Sequence, residues 1–565
     1  MNTRYKIFPA MLILLSTVFF ISCEKLLDVE MKDKLDAENA YKNNFDARSA
    51  ALGINGLFQE KMADNYFLMN ELRADLVDYT DNADEELRNL ALHKATIENK
   101  YVRPEDYYTV ILACNEAIEK IQTLYADSTL SYTNYPVDYS EVMGFRCFVY
   151  YQLAQHFSPV IYITEPLENI DMVYNEKYPR LTFDELIDSL IIIMEDLPIK
   201  DLQDYDAIYL EEKGAKIDGY SLYRSFVEKR SLLGDLYLTR GSSYFDYYRA
   251  ALNYRWNSLL NRDEQIKFKC TFSVFAYDYT DPNDLFDWPE MFKTSYLGTT
   301  SSKLYQEWFW HAIIDNRFDQ TNNIVRYISS TYGNYLVKPS QKVIYDWDVQ
   351  KLGNGVSGDL RGKDASWTED MGVPVINKYL LEINSPFQND ADMYMCRTAT
   401  IFLRYAEAVN RMGKCKLALA MMNPLNGSLA KDPNAVDTND VTFDFFESVM
   451  DKYHEKYLFA LSKGVRGRVS MAPYEIDSVE YLKDSIGYVE NLISNEYALE
   501  LAFEGDRWTN LHRIAHRREK LNPGSGAEFL SNAISEKYID EGKTAEASEV
   551  KNTLMDVQNW YIPLE

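Results

Sequence analysis

The chain lacks several features that would point to chemistry. It has six cysteines in 565 residues, and none are in a Cys-x-x-Cys spacing. With Cys23 set aside, Cys114, Cys147, Cys270, Cys396 and Cys415 are an odd number set far apart. This excludes a cysteine-held metal cluster, a thioredoxin-type pair and a disulfide framework, and leaves a single disulfide open. Basic residues are also scarce: 59 Lys and Arg stand against 87 Asp and Glu, a net charge of -28. Such a surface repels phosphate backbones, so no nucleic-acid partner is expected. No G-x-S-x-G elbow is present. Gly358 to Lys363 lacks the spacing and the Ser/Thr of a phosphate-binding loop, and Gly353-x-Gly355-x-x-Gly358 follows a polar turn and opens no helix. His512 and His516 share a helical face, but no Glu follows the first and arginines surround both, a poor setting for a cation.

A long apolar run occurs once, at the N-terminus. Arg4 and Lys6 precede an apolar stretch from Ile7 to Phe20, which ends Phe20-Ile21-Ser22-Cys23. The run is short for a spanning helix and fits a secretory leader over 1–22. Beyond a polar tether at 23–36, a single domain is expected over 37–565. Helical periodicity dominates 37–260 and returns over 396–520, while the stretch between, 262–395, is irregular and richer in turn dipeptides. Ala37 to Phe58 and Tyr107 to Leu124 read as helices. Gln341 to Gln350 alternates apolar and polar residues and reads as a strand. Leu233-Gly234-Asp235-Leu236-Tyr237 with a turn at Gly241, and Tyr405-Ala406-Glu407-Ala408 with a turn at Gly413, follow the grammar of tetratricopeptide helix pairs. The expected fold is therefore mostly α, a helix-pair scaffold carrying a loop-rich, partly β insert. Forty-four tyrosines and eight tryptophans are the compositional excess. Flat rings with polar tips suit sugar faces and peptides.

One stretch near the C-terminus organises the rest. From Ile493 to Arg513, Ile493, Tyr497 and Leu501 share one helical face, and Glu496, Glu500 and Glu504 form a second stripe at the same interval. Gly505 then breaks the run before Asp506-Arg507-Trp508. This stretch resembles the C-terminal signature of the SusD/RagB family, departing from it at Tyr497, where Arg is usual, and at Asn510, where Asp is usual. Those two changes are expected to weaken an ion-pair network in the core. Cys114-Asn115-Glu116-Ala117-Ile118, the helix around Phe145 to Val160 and the closing Ile562-Pro563-Leu564-Glu565 resemble further family segments.

The resemblance implies a surface lipoprotein that captures nutrients, lidding a SusC-like TonB-dependent outer-membrane transporter. Cys23 would be the lipidated first residue of the mature chain, anchoring it to the outer membrane and leaving a net charge of about -30 after Arg4 and Lys6 are removed. The ligand, an oligosaccharide or polysaccharide, would lie on loops from about Asp75 to Tyr101 and Tyr277 to Trp310. Ring platforms would come from Trp288, Tyr296, Trp308 and Trp310, with Tyr79 and Tyr101 opposite. Arg73, Asp75, Asp78 and Asn82 would be the polar clamps. A peptide ligand and a surface hydrolase are the alternative readings. No cofactor is expected, although Asp78-x-Thr80-x-Asn82-x-Asp84-x-Glu86 alternates oxygen donors and keeps calcium open.

Overall fold

The computed structural model describes residues 41–201 apart from 168 and 176, then 211–212, 215–216, 225–258, 288, 292, 307–314, 321–379, 391–423 and 464–564. The leader, the tether, Cys23, Cys270, Tyr296 and most of 277–306 lie outside the described residues. The scaffold begins with α1 (Asn44–Phe67), α2 (Glu85–Ala91), α3 (Pro104–Ala126), α4 (Tyr135–His156) and α5 (Phe183–Asp196). It continues with α6 (Lys229–Arg240), α7 (Tyr244–Ser258), α8 (Ile324–Ile328), α9 (Gln341–Asp348), α10 (Thr398–Arg411) and α11 (Cys415–Met422). The C-terminal part adds α12 (Ser478–Lys483), α13 (Ser485–Glu500), α14 (Arg507–Leu521), α15 (Ser525–Asp540) and α16 (Thr544–Leu554).

Local chemistry sets these boundaries. Asn43 and Asp46 close a reciprocal cap on α1, and Thr182 and Glu185 do the same on α5. The helix expected over 37–58 instead starts at Asn44 and runs on to Phe67. Helices α3 and α4, α6 and α7, α10 and α11, and α15 and α16 pack as antiparallel pairs. The two predicted repeat motifs form pairs of this kind. Gly234 lets α6 and α7 close up, since a Cβ there would lie 2.6 Å from the Tyr254 ring. The Tyr254 hydroxyl donates to Asp235 at 2.6 Å across the same contact.

The irregular half supplies the strands. β1 (Val77–Tyr79) pairs antiparallel with β3 (Val337–Pro339), which ties the first-third loop to the irregular half. β2 (Trp308–Ile314) pairs with β6 (Ala391–Arg397), and β4 (Trp367–Asp370) pairs with β5 (Val373–Ile376). The predicted strand at 341–350 is instead helix α9, capped by Ser340. Val343 and Trp347, four residues apart, both face the core, and the Trp347 indole donates to the Leu499 carbonyl at 3.1 Å. The apparent alternation was a helical period read over too short a window.

One hydrophobic cluster runs from Ala47 to Leu564, and a smaller one joins Trp288, Phe292, Leu352, Tyr394 and Met471. Between them lies a buried ionic seam. Glu496 accepts from Arg361 (2.7 Å) and Arg466 (2.9 Å). Glu500 takes Arg361 (2.8 Å), Arg397 (2.8 Å) and Arg468 (2.5 Å), and Glu504 takes Lys378 (2.6 Å) and Arg397 (2.8 Å). Asp359 pairs with Arg361 and Glu307 with Arg468, so five carboxylates meet five cations. Burial alone would raise the Glu500 carboxyl, but Arg468, Arg397 and Arg361 outweigh it and hold it at about 2. The acidic stripe of α13 is thus the bolt by which the irregular half is fastened to the scaffold. The seam closes without a charge at Tyr497, which is buried beside a second set of charges, Arg404, Arg513, Asp506 and Glu407. At the other departure, Asn510 accepts from Arg507 at 3.1 Å.

Candidate functional site

The clamps and platforms proposed from sequence separate into two groups. Most are used inside the protein. Asp75 grips Arg507 with both oxygens (2.6 and 2.9 Å) and is held at about 2, the buried carboxyl's own tendency to rise being overcome by that arginine. Asp78 takes Lys543 at 2.7 Å, and the same lysine lies 4.0 Å from the centroid of the Tyr79 ring. Arg73 stacks 4.2 Å over the Trp508 ring and donates to His156 and to the Trp560 carbonyl. Trp288 is fully buried among Arg397, Arg468 and Lys378. Trp310 packs edge-on against Phe148 at 4.5 Å. None of these offers an open face to a ligand in this conformation. Trp308 begins β2 and its side chain lies outside the described set, as does all of Tyr296.

The second group stays at the surface. Asn82 is exposed and donates to the Asn334 carbonyl at 3.2 Å, bringing the first-third loop against the stretch 327–335. Tyr101, half-buried, meets half-buried Tyr327 edge to face at 6.3 Å. Each hydroxyl is aimed by a carboxylate: Tyr101 donates to Asp84 at 2.9 Å and Tyr327 to Asp64 at 3.0 Å. Lys100 bonds Asp84 at 2.7 Å, and Arg103 bonds Asp64 at 2.6 Å. Burial first, then the Asp84 carboxylate, push the Tyr101 hydroxyl up to about 12, so it stays a donor. The result is a pair of fixed rings with a rim of Asn82, Lys100 and Arg103. Tyr101 and Asn82 are expected from sequence, while Tyr327, which the structure sets against Tyr101, and the nearby Tyr332 and Tyr335 are not. Three tyrosines within nine residues around Gly333-Asn334 were the available signal.

The oxygen ladder considered for calcium is dispersed. Thr80 bonds the Tyr335 carbonyl, Asp84 caps α2, and Glu86 pairs with Lys100. Among the described residues no cluster of three or more His, Cys, Asp or Glu is placed to hold a metal ion. His512 accepts or donates between Gln155 and Tyr561, and its ring stacks on His516.

A trough of about 990 Å³ opens elsewhere, between α13, α14 and α15, with Lys342 of α9 at one end. Its lining includes Glu480 and Lys483, paired at 2.5 Å on α12, together with Asp484, Glu528, Arg518, Asn491, Asn495 and Asn532.

Comparison with known proteins places this architecture. The SusD family model matches residues 311–564. A SusD-like protein of Formosa agariphila is 22% identical over 548 residues, 91% of this chain and 92% of its own length. Over residues 311–564 the chain is similar to the SusD family. A SusD superfamily structure from Bacteroides vulgatus superposes with a TM-score of 0.58 at 13% identity, covering 91% of this chain and 93% of that one. A SusD-like carbohydrate-binding protein from the same organism gives 0.51 at 15% identity, covering 84% of each. The signature that carries the family match is therefore structural here. Glu496, Glu500, Glu504 and Arg507 are all buried in ion pairs, and Gly505 turns with φ +81° where a Cβ would lie 2.2 Å from the Tyr66 ring.

Proposed function

We propose that this chain acts as a SusD-type protein, capturing an oligosaccharide or polysaccharide at the cell surface and delivering it to a SusC-like TonB-dependent transporter, without cleaving it. The observation that supports this is the Tyr101–Tyr327 pair, two rings fixed by Asp84 and Asp64 at the edge of the irregular half. A sugar presents an apolar C–H face to such a ring and hydroxyls to a polar rim. Asn82, Lys100 and Arg103 supply that rim. Rings pre-set by hydrogen bonds lose little freedom on binding, so weak contacts still sum to useful affinity. The anchor would be lipid on Cys23; among the described residues no helix is long and apolar enough to cross a membrane.

Affinity electrophoresis of the mature protein through a panel of neutral and acidic polysaccharides tests this reading. Retardation by at least one, lost in Tyr101→Ala, supports it. No retardation by any, or retardation unchanged in the variant, counts against it.

The charged trough favours a second reading, a peptide ligand, because carboxylates and cations interspersed along a helical groove suit a ligand with charged side chains and polar backbone groups. Binding to a peptide pool, reduced in Arg518→Glu, would select it. Turnover separates either reading from a hydrolase. The carboxyl such an enzyme would use beside the tyrosines is Asp106, pushed up to about 6 by burial against the pull of Arg103. Its Oδ2 lies 3.2 Å from Arg103 Nε as an ion pair within one helical turn. We expect no released sugar from wild type or from Asp106→Asn; release abolished by that change would favour the enzyme.

A further inference from the structure

A cavity of about 200 Å³ lies behind the Tyr101 loop, where Arg73, His93 and Lys94 meet Asn559, Tyr561 and Pro563 of the C-terminal segment. Its volume equals roughly six or seven waters, enough for a small ion or a single acid group with its substituent. One of its lining groups lacks a counter-charge.

Arg73 is 1% exposed, yet among the described residues no carboxylate lies within ion-pair distance of it. Its partners are neutral: the His156 ring at 2.8 Å, the Trp560 carbonyl at 2.9 Å and the Trp508 π face. Among the buried arginines of the described residues, Arg361, Arg397, Arg404, Arg411, Arg466, Arg468, Arg507 and Arg513 all hold acids, and Arg146, on Asn115 and Met143, is like Arg73 in having neutral partners. Burial pushes the Arg73 guanidinium down to about 9, still above neutral pH, so it keeps its charge. An uncompensated buried cation is costly, and the cost falls when an anion reaches it. His93 Nε2 donates to the Arg73 carbonyl at 2.9 Å, and its unpartnered Nδ1 is an acceptor that takes a water or the O–H of an acid and makes no contact with an anionic oxygen. At the mouth, Lys94 is held by Glu549 at 2.5 Å and Asn559 is exposed.

We infer that this cavity is a binding site for a small oxyanion, a carboxylate or sulfate group, with Arg73 as its counter-charge and Lys94 at its entrance. The same chemistry arises from a free inorganic or organic anion and from an acidic substituent on a larger ligand. The site is separate from the tyrosine pair and does not rest on the glycan reading. In a chain with a net charge of -28, a cationic pocket also concentrates an anion that the remaining surface repels.

Equilibrium dialysis of the mature protein against labelled sulfate and labelled acetate, at constant ionic strength, tests it. One saturable equivalent of either anion is expected, and the tighter of the two identifies the group. Lys94→Glu, a surface change, should weaken binding about tenfold or more, and Asn559→Asp should weaken it in the same direction. Arg73→Gln should abolish binding; if that variant does not fold, the two surface variants decide. Lys351→Glu, outside the lining of this cavity, should bind as wild type. With acidic polysaccharides in place of free anions, loss of retardation in Lys94→Glu would assign the site to a substituent. Absence of saturable binding of both anions to wild type, or equal affinity in Lys94→Glu, overturns the inference.

Discussion

The ionic seam under α13 and the tyrosine pair at the edge of the irregular half are built from the same kinds of side chain and do opposite work. In the seam, Glu496, Glu500 and Glu504 are buried and each carboxylate is held by at least two cations. Around Tyr101 and Tyr327, the carboxylates Asp84 and Asp64 each hold one cation and spend an oxygen on orienting a ring. Aromatic residues divide the same way: Trp288 and Trp310 are committed to packing, while Tyr101 and Tyr327 keep part of their surface for water or ligand. Committed groups make a scaffold, and groups with one valence left over make a site.

Breaking the seam should have the largest effect. Glu500→Ala leaves Arg361, Arg397 and Arg468 short of a shared partner and should cost about 3–5 kcal/mol in chemical denaturation. Gly505→Ala should cost about 2–4 kcal/mol, combining a left-handed backbone penalty with a clash on Tyr66. Glu71 sharpens the comparison through pH. Burial pushes its carboxyl up to about 8, opposed by the Gly505 N–H and by Lys378. The folded chain therefore keeps a proton that the unfolded chain releases near about 4.3. The stability this contributes is complete below that value and lost as pH rises towards 8. Glu71→Gln should flatten this alkaline decline, seen as a smaller fall in melting temperature between pH 6 and pH 9 (the two test conditions, roughly bracketing the transition). Tyr101→Ala should change stability least, about 1 kcal/mol for one hydrogen bond and partial burial.

The scaffold was legible because helices announce themselves locally. The spacing of Glu496, Glu500 and Glu504, Gly234 in its motif and the turn at Gly413 each mark a helix face or turn within a few residues, although the partners of the glutamates, Arg361 and Arg397, come from more than 100 residues away. The site was much less so. Arg73, Asp75 and Asp78 look like surface clamps until Trp508, Arg507 and Lys543 arrive from more than 400 residues away. Trp288 reads as a platform, but three cations enclose it. At Gln341 to Gln350, a two-residue alternation hid a pair of inward positions four apart. Burial of a polar or aromatic residue depends on partners distant in sequence, which local patterning does not carry.

The most direct test is a paired measurement on Tyr101→Ala/Tyr327→Ala: polysaccharide retardation alongside denaturant unfolding. Loss of retardation with stability kept within about 2 kcal/mol of wild type is the predicted result. Retained retardation in a fully folded double variant would contradict the assignment of binding to this pair.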